Sequence, residues 1–345
     1  MLQIRRFTQL ILLLSLILAP VTAEELELFP SRFIIPGVAW RGQTWNNCGP
    51  ANLALVMNYW GWKGNQFDIE KTVRPNPNDP HVSIEELAEF ARSAGFGVHS
   101  LDDAKMIDLK SAMTLGTPVI VPTWHVDSKE EQMGHYRILY GYDDETELIF
   151  IRDTLEGPYT HLTYEDFQCL WAVLGSQLLI ITSETDPVMD QEWINAPINP
   201  SFAPLGSNQP NIEQLEALMH FSNGMRALTS EDFKKAVTLF NLSRTQHLPW
   251  RIWWYRPEAL EAYIKLDLFD SVLDIANYAL RPYPYSEELF YWKALALDRM
   301  GKKDLALENL QTSNGLKNGW IDDHHLEPFS PEVQKGFPGR RLSMD

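Results

Sequence analysis

Five prolines, at positions 187, 197, 200, 204 and 210, divide this chain into two stretches of unlike texture. Among them Asn, Ser and Asp recur without a sustained apolar period, which is the pattern of a linker. Upstream, helical and strand-like runs are interleaved. Downstream, strand-like runs vanish and helical ones repeat. The expected organisation is therefore an α+β domain of helices plus antiparallel sheet over residues 24–183, a linker over 184–211, an all-α helical repeat domain over 212–315 and an irregular tail over 316–345. A chain of 345 residues has room for both domains, and with 45% hydrophobic and 12% aromatic residues each can bury a core.

Residues 1–23 form a targeting segment. Arg5 and Arg6 precede an apolar run from Leu10 to Ala19, and Val21-Thr22-Ala23 follows as an A-x-A-like cleavage site. The run is short for a bilayer crossing, so the expectation is a cleaved signal, export to the periplasm or beyond, and no stable membrane span afterwards. A net charge of −17 opposes binding to phosphate backbones and sets nucleic acid aside as a partner. Cys48 and Cys169 are the two cysteines, too few for a disulfide framework. An oxidising compartment would let them pair, but Cys169 sits in Asp166-Phe167-Gln168-Cys169-Leu170-Trp171 and reads as a small buried hydrophobe on an amphipathic helix. The histidines are scattered and no Cys pair has ligand spacing, so neither a metal nor a cofactor is expected.

Chemistry concentrates in Gln43-Thr44-Trp45-Asn46-Asn47-Cys48-Gly49-Pro50-Ala51-Asn52-Leu53. Leu53, Leu55, Val56, Met57 and Trp60 continue from Pro50 as a buried helix, closed by Gly61-Trp62-Lys63-Gly64, so the thiol sits where a loop turns into a helix. Free N–H groups and the positive end of the helix dipole there stabilise thiolate, the nucleophilic form. Gln43 carries a neutral amide able to donate to an oxyanion. Asn46 and Asn47 shape the loop or touch substrate backbone, with Asn47 the weak candidate for the second role.

A nucleophilic thiol needs a base and an acceptor to orient it. Tyr136–Tyr142 and Glu147–Arg152 read as two strands joined by the polar turn Asp143-Asp144-Glu145-Thr146. Pairing them as a hairpin sets His135 opposite Asp153 or Thr154, close enough for a carboxylate to accept the imidazole N–H. Gly134 would let substrate or backbone approach His135 closely. His125 is the rival base but has no carboxylate placed opposite it, and Asp143 and Asp144 read as solvated turn residues. Other expected elements are an edge strand near Phe33–Val38, helices at 68–73, 83–94, 106–115 and 163–171, a buried strand at 118–124 and a last strand at 177–181.

Beyond the linker three helix pairs repeat, and Ala236, Val272 and Ala306 mark them at spacings of 36 and 34 residues. That is close to the period of about 34 of tetratricopeptide repeats. Such an array offers a groove for a peptide or a protein partner, and Trp250, Trp253, Trp254 and Trp292 either line it or pack between helices.

The segment Gln43 to Trp60, Gly116-Thr117-Pro118-Val119-Ile120-Val121, and the strand pair carrying Gly134-His135-Tyr136 and Ile151-Arg152-Asp153 together resemble the bacteriocin-processing cysteine peptidase family. That papain-like family includes double-glycine leader peptidases fused to ABC exporters. The resemblance spans roughly residues 33–183. It implies a papain-like α+β fold with Cys48 as nucleophile, His135 as general base and then acid, Asp153 as the orienter of His135, and Gln43 in the oxyanion hole. Thr154 follows Asp153 where relatives often carry proline. The chain has neither a phosphate-binding loop nor a transmembrane bundle, so exporter fusion and double-glycine specificity do not carry over. Residues 212–315 are similar to degenerate tetratricopeptide repeats. The function so implied is an exported thiol protease cleaving a peptide or protein substrate recruited by the repeats. The alternatives are an idle papain-like scaffold that binds peptides, and a thiol transpeptidase or amidase.

Overall fold

The computed structural model describes residues 29–76, 78, 81–126, 132–188, 203–204, 212–317 and 319–338. The expected export signal at 1–23 lies outside the described residues, as does most of the expected linker. The first domain is an antiparallel sheet flanked by helices, and the second region is helical, as the division at the prolines implied.

The sheet runs β2 (Gly97–Leu101), β7 (Leu178–Thr182), β3 (Val119–Val126), β4 (Gln132–Asp143), β5 (Leu148–Asp153), β6 (Gly157–Thr163) and β8 (Ala203–Pro204), with β1 (Arg32–Ile34) paired to the end of β4. Every position of β3 is buried, which is why it reads as an unbroken apolar run and lies inside the sheet between β7 and β4. Sequence reading missed β2 and β6. In β2 exposed and half-buried residues alternate, and its partner is β7 alone, so it has only a weak apolar signal. The linker is also less detached than expected: Ala203 and Pro204 pair in parallel with Thr160 and His161, and the Val188 N–H donates to Tyr59 O.

A bulge corrects the expected hairpin register. Tyr142 pairs with Ile149, but between Leu139 and Gly141 the ladder shifts, so that Ile138 pairs with Arg152. Continued by one residue, this register sets Asp153 across from Arg137, two residues along the same strand face from His135, instead of directly opposite His135. Asp143 and Asp144 are not free turn residues: both are paired, and Asp144 stays partly exposed. Asp143 is buried and ion-paired with Arg32, and Asp144 binds Lys110 and the Tyr164 hydroxyl.

Helix α1 (Cys48–Tyr59) is buried over nearly its whole length, as expected of a helix apolar on all sides. Around it lie α2 (Gln66–Val73) and α3 (Ile84–Ser93), each opened by a capping box, with α4 (Met106–Thr114) and α5 (Tyr164–Ala172) completing the domain.

The helical region consists of α6 (Ile212–Thr229) with α7 (Phe233–Thr245), a broken helix formed by α8 (Trp250–Tyr255) and α9 (Leu260–Lys265) with α10 (Phe269–Leu280), and α11 (Glu287–Arg299) with α12 (Lys303–Leu316). The turns inside these pairs are the same. Glu231, Asp267 and Gly301 all adopt positive φ, between 56° and 76°. In each turn the next N–H bonds back five residues, Asp232 to Ala227, Leu268 to Tyr263 and Lys302 to Leu297. This is a Schellman ending in every pair, although glycine, the usual residue for it, appears only once. The tail, expected to be irregular or a short cap, forms α13 (Asp323–Leu326) and α14 (Pro331–Gly336). Pro331 starts α14 at a position where its missing N–H costs nothing, and Phe329, Val333 and Phe337 recur every four residues to pack in one cluster with Leu295 and Leu310.

The two regions share a buried core. Trp124 of β3 meets Tyr255 edge to face, Trp254 and Tyr255 lie against His81, and Arg251 donates to Gln132 O. Lys317, just past α12, pairs with Glu86 of α3 and with Glu287. Glu86 is also the capping residue of α3, so one carboxylate serves both the helix and the contact between regions.

Candidate active site

Cys48 is the first residue of α1. Its N-cap, Asn47, makes no side-chain cap and the first turn holds no acidic residue, so nothing competes with the thiol for the helix end. Burial alone pushes the Cys48 thiol up. The hydrogen bond and charge of His135, with the Tyr136 and Gly49 N–H groups, outweigh burial and hold the thiol below its ordinary value.

His135 lies on β4 facing the head of α1, and its Nε2 is 2.8 Å from Asp153 Oδ1. That leaves Nδ1 as the ring nitrogen for Cys48. Burial would lower the His135 pKa, but the charge and hydrogen bond of Asp153, together with the hydrogen bond to Cys48, raise it to about 9. Both shifts favour the thiolate–imidazolium form of the pair over thiol and neutral imidazole.

Asp153, at the end of β5, is fully buried and saturated with donors. Oδ1 accepts from His135 and from the Leu155 and Glu156 N–H groups, and Oδ2 accepts from Arg137 Nε at 2.8 Å. Burial pushes the carboxyl up, and the charges of His135 and Arg137 overcome this and hold it far below the usual carboxylate range. The Trp40 indole N–H donates to the Asp153 carbonyl at 2.7 Å, fixing the backbone of the same residue.

Sequence reading missed Arg137, though a signal exists: it is a lone cation in the otherwise apolar Tyr136-Arg137-Ile138-Leu139 run, two residues from His135. Its guanidinium also contacts the Thr123 hydroxyl and lies 3.3 Å from His125 Nδ1. His125, the rival base, faces Arg137 and Glu156.

Gln43 sits half-buried beside Thr154, whose hydroxyl donates to its Oε1 at 2.8 Å, and the Gln43 N–H donates to Thr154 O. Asn47 is not among the residues that line the cleft. It is fully buried, and its amide donates to Gln66 Oε1 and Glu70 Oε2 of α2, pinning the loop, while Asn46 takes the position at the cleft. Gly134 does line the cleft: a Cβ there would come within 3.3–3.5 Å of Leu174 and the Tyr255 ring.

The cleft measures ≈ 440 Å³, and Cys48 and His135 lie in it. Its far wall belongs to the helical region, with Tyr255, Glu288, Tyr291, Trp292, Trp320 and His325. Trp253, by contrast, packs between helices against Phe221, Phe240 and Tyr263, so the tryptophans of the helical region divide between the two roles considered for them. Both cysteines are free. Cys169 lines a separate hollow between α5 and α6. Among the described residues no helix is long and apolar enough to cross a membrane.

A thiol heading a buried helix, with an imidazole and a carboxylate carried by an adjacent antiparallel sheet, is the arrangement of papain-like cysteine peptidases. Residues 35–179 match the family described as Peptidase_C39 like, and the match falls within the first domain. It is similar to a structure described as a C39-like peptidase from Bacillus anthracis, at 19% identity over 45% of this chain and 99% of that one, with a TM-score of 0.38. It is also similar to the peptidase domain of Streptococcus ComA, a bifunctional ABC transporter of a quorum-sensing pathway. There the identity is 22% over 43% of this chain and 99% of that one, with a TM-score of 0.35. Among curated proteins none matches the chain.

Proposed function

We propose that the protein is an exported cysteine peptidase that hydrolyses peptide bonds through Cys48, His135 and Asp153. The observation that carries this reading is the Cys48–His135–Asp153 relay, with the thiol held below and the imidazole above their ordinary pKa values. Cys48 thiolate attacks the peptide carbonyl carbon, and the oxyanion is met by Gln43 and the Cys48 N–H. His135 delivers its proton to the departing amine, leaving a thioester on Cys48. Water, deprotonated by the now neutral His135, then releases the acid and restores the thiolate. Export rests on the targeting segment at 1–23. The helical region, read as tetratricopeptide-like repeats, receives the peptide against Tyr255, Tyr291, Trp292 and Trp320.

The test is alkylation of the folded mature protein by an iodoacetamide probe from about pH 4 to about pH 9, with the label mapped by mass spectrometry. Labelling of Cys48 that persists well below the free-thiol pKa of about 8.5 and collapses in His135→Ala supports the reading. Ordinary thiol behaviour in both proteins removes it and leaves an idle, peptide-binding domain.

A further inference from the structure

Asn52, one turn into α1, is buried, and its Nδ2 lies 2.8 Å from Cys48 O, 2.9 Å from Tyr136 O and 3.2 Å from Thr154 Oγ1. Backbone carbonyls only accept, so this amide must present its NH₂ to them. The Thr154 hydroxyl next to it therefore accepts from Asn52, and its single proton is committed in the other direction, to Gln43 Oε1 at 2.8 Å. A hydroxyl that donates selects the carbonyl end of an amide. Gln43 is thereby oriented with Oε1 occupied, and its Nε2 makes no hydrogen bond among the described residues. Its main chain is held as well, through the N–H to Thr154 O at 2.9 Å.

We propose that Thr154, backed by Asn52, is a positioning residue for the oxyanion donor: it fixes the Gln43 amide so that the NH₂ end alone is offered to the developing charge. The relay starts at carbonyls on both sides of the site, Cys48 on α1 and Tyr136 beside His135 on β4. The same amide thus couples the direction of the oxyanion donor to the spacing of nucleophile and base. This inference rests on the reading of Gln43 as oxyanion donor given above.

The test uses the mature protein and two reactions of Cys48. Alkylation by iodoacetamide displaces iodide at a saturated carbon and forms no oxyanion. Acylation by p-nitrophenyl acetate passes through one, as thiolate attacks the carbonyl, the bond to p-nitrophenolate breaks and a thioester forms. In Thr154→Val acylation is expected to slow by roughly tenfold or more, short of the 10²–10³ typical of losing an oxyanion donor outright. Alkylation should keep its wild-type rate and pH profile, which also shows that the variant is folded. Thr154→Ser, which retains the hydroxyl, should restore acylation. Adding Thr154→Val to Gln43→Ala should cost nothing further, because the threonine acts only through the glutamine. Should Thr154→Val disturb alkylation, Thr154→Ala, which opens space instead of filling it with a methyl group, is read by the same criteria. Slow acylation in Gln43→Ala with wild-type acylation in both Thr154 variants overturns the positioning role alone. Wild-type acylation in Gln43→Ala overturns the oxyanion reading and this inference with it.

Discussion

Nε of Arg137 lies 2.8 Å from Oδ2 of Asp153, and both side chains are buried. The carboxylate therefore answers to two cations, His135 on one oxygen and Arg137 on the other. Arg137 keeps Asp153 charged, and through its own positive charge it also opposes protonation of His135. One residue thus holds the carboxylate ionised while restraining protonation of the imidazole.

Replacing Arg137 with Met leaves a buried carboxylate short of a partner, and breaking such a pair costs about 3–5 kcal/mol. The denaturant midpoint should fall accordingly. The His135 pKa should move up, since a charge that lowered it has gone. Stability equal to wild type would show that the pair carries no net energy.

Asp153→Asn removes the charge that raises His135 to about 9. Its imidazole should then titrate nearer the ordinary value of about 6.5, and the Cys48 labelling curve should shift upward as the thiolate loses a cationic neighbour. Acyl transfer is expected to drop by roughly 10²–10⁴. A nuclear magnetic resonance titration of the His135 ring in both proteins checks the first part, and p-nitrophenyl acetate kinetics check the last.

The wild-type pH dependence should differ between the two thiol reactions. Peptide cleavage needs thiolate and imidazolium together, so it rises through the lowered Cys48 pKa and falls as His135 deprotonates near 9. Alkylation needs only thiolate and should show no alkaline fall. Peptide cleavage still climbing well above that value would deny His135 its part as the acid.

On the far wall of the cleft, Trp292→Ala should reduce kcat/KM on peptides long enough to fill it by at least about fivefold, the equivalent of roughly 1 kcal/mol. Acylation by p-nitrophenyl acetate, too small to span the cleft, should not change. Equal losses on both substrates would point to a disturbed fold instead of a lost contact.

In the helical region, Glu231 holds a positive φ of 56° at a helix–helix turn of the kind where Gly301 holds 76°. Glu231→Gly should stabilise by about 1 kcal/mol and Gly301→Ala should destabilise by a similar amount, read as shifts in the thermal midpoint. The opposite signs would mean that the turns are not equivalent.

Much of this architecture was legible because the residues carrying it are local in sequence. Pro50 and the apolar run behind it announce α1, Ser83 and Glu86 announce α3, and Val119-Ile120-Val121 announces β3. The pairing of His135 with Asp153 was legible to within two residues, since two strands and a short turn place them near each other. The bulge at Tyr140 was not, because nothing in Leu139-Tyr140-Gly141 marks which residue the ladder skips. Arg137, Asn52 and Thr154 were missed for a different reason: most of their partners are distant in sequence, 84 and 102 residues away for Asn52 and 111 for Thr154, and a buried polar side chain declares its purpose only when those partners are in place.

The cleft takes its floor from one region of the chain and its far wall from another. Substitutions in α11, or at Trp320, can redraw the shape of the wall while the atoms that make and break bonds keep their neighbours. For the proposed peptidase, much of selectivity would then be inherited on a different segment from reactivity, and a lineage could exchange its diet without relearning its chemistry.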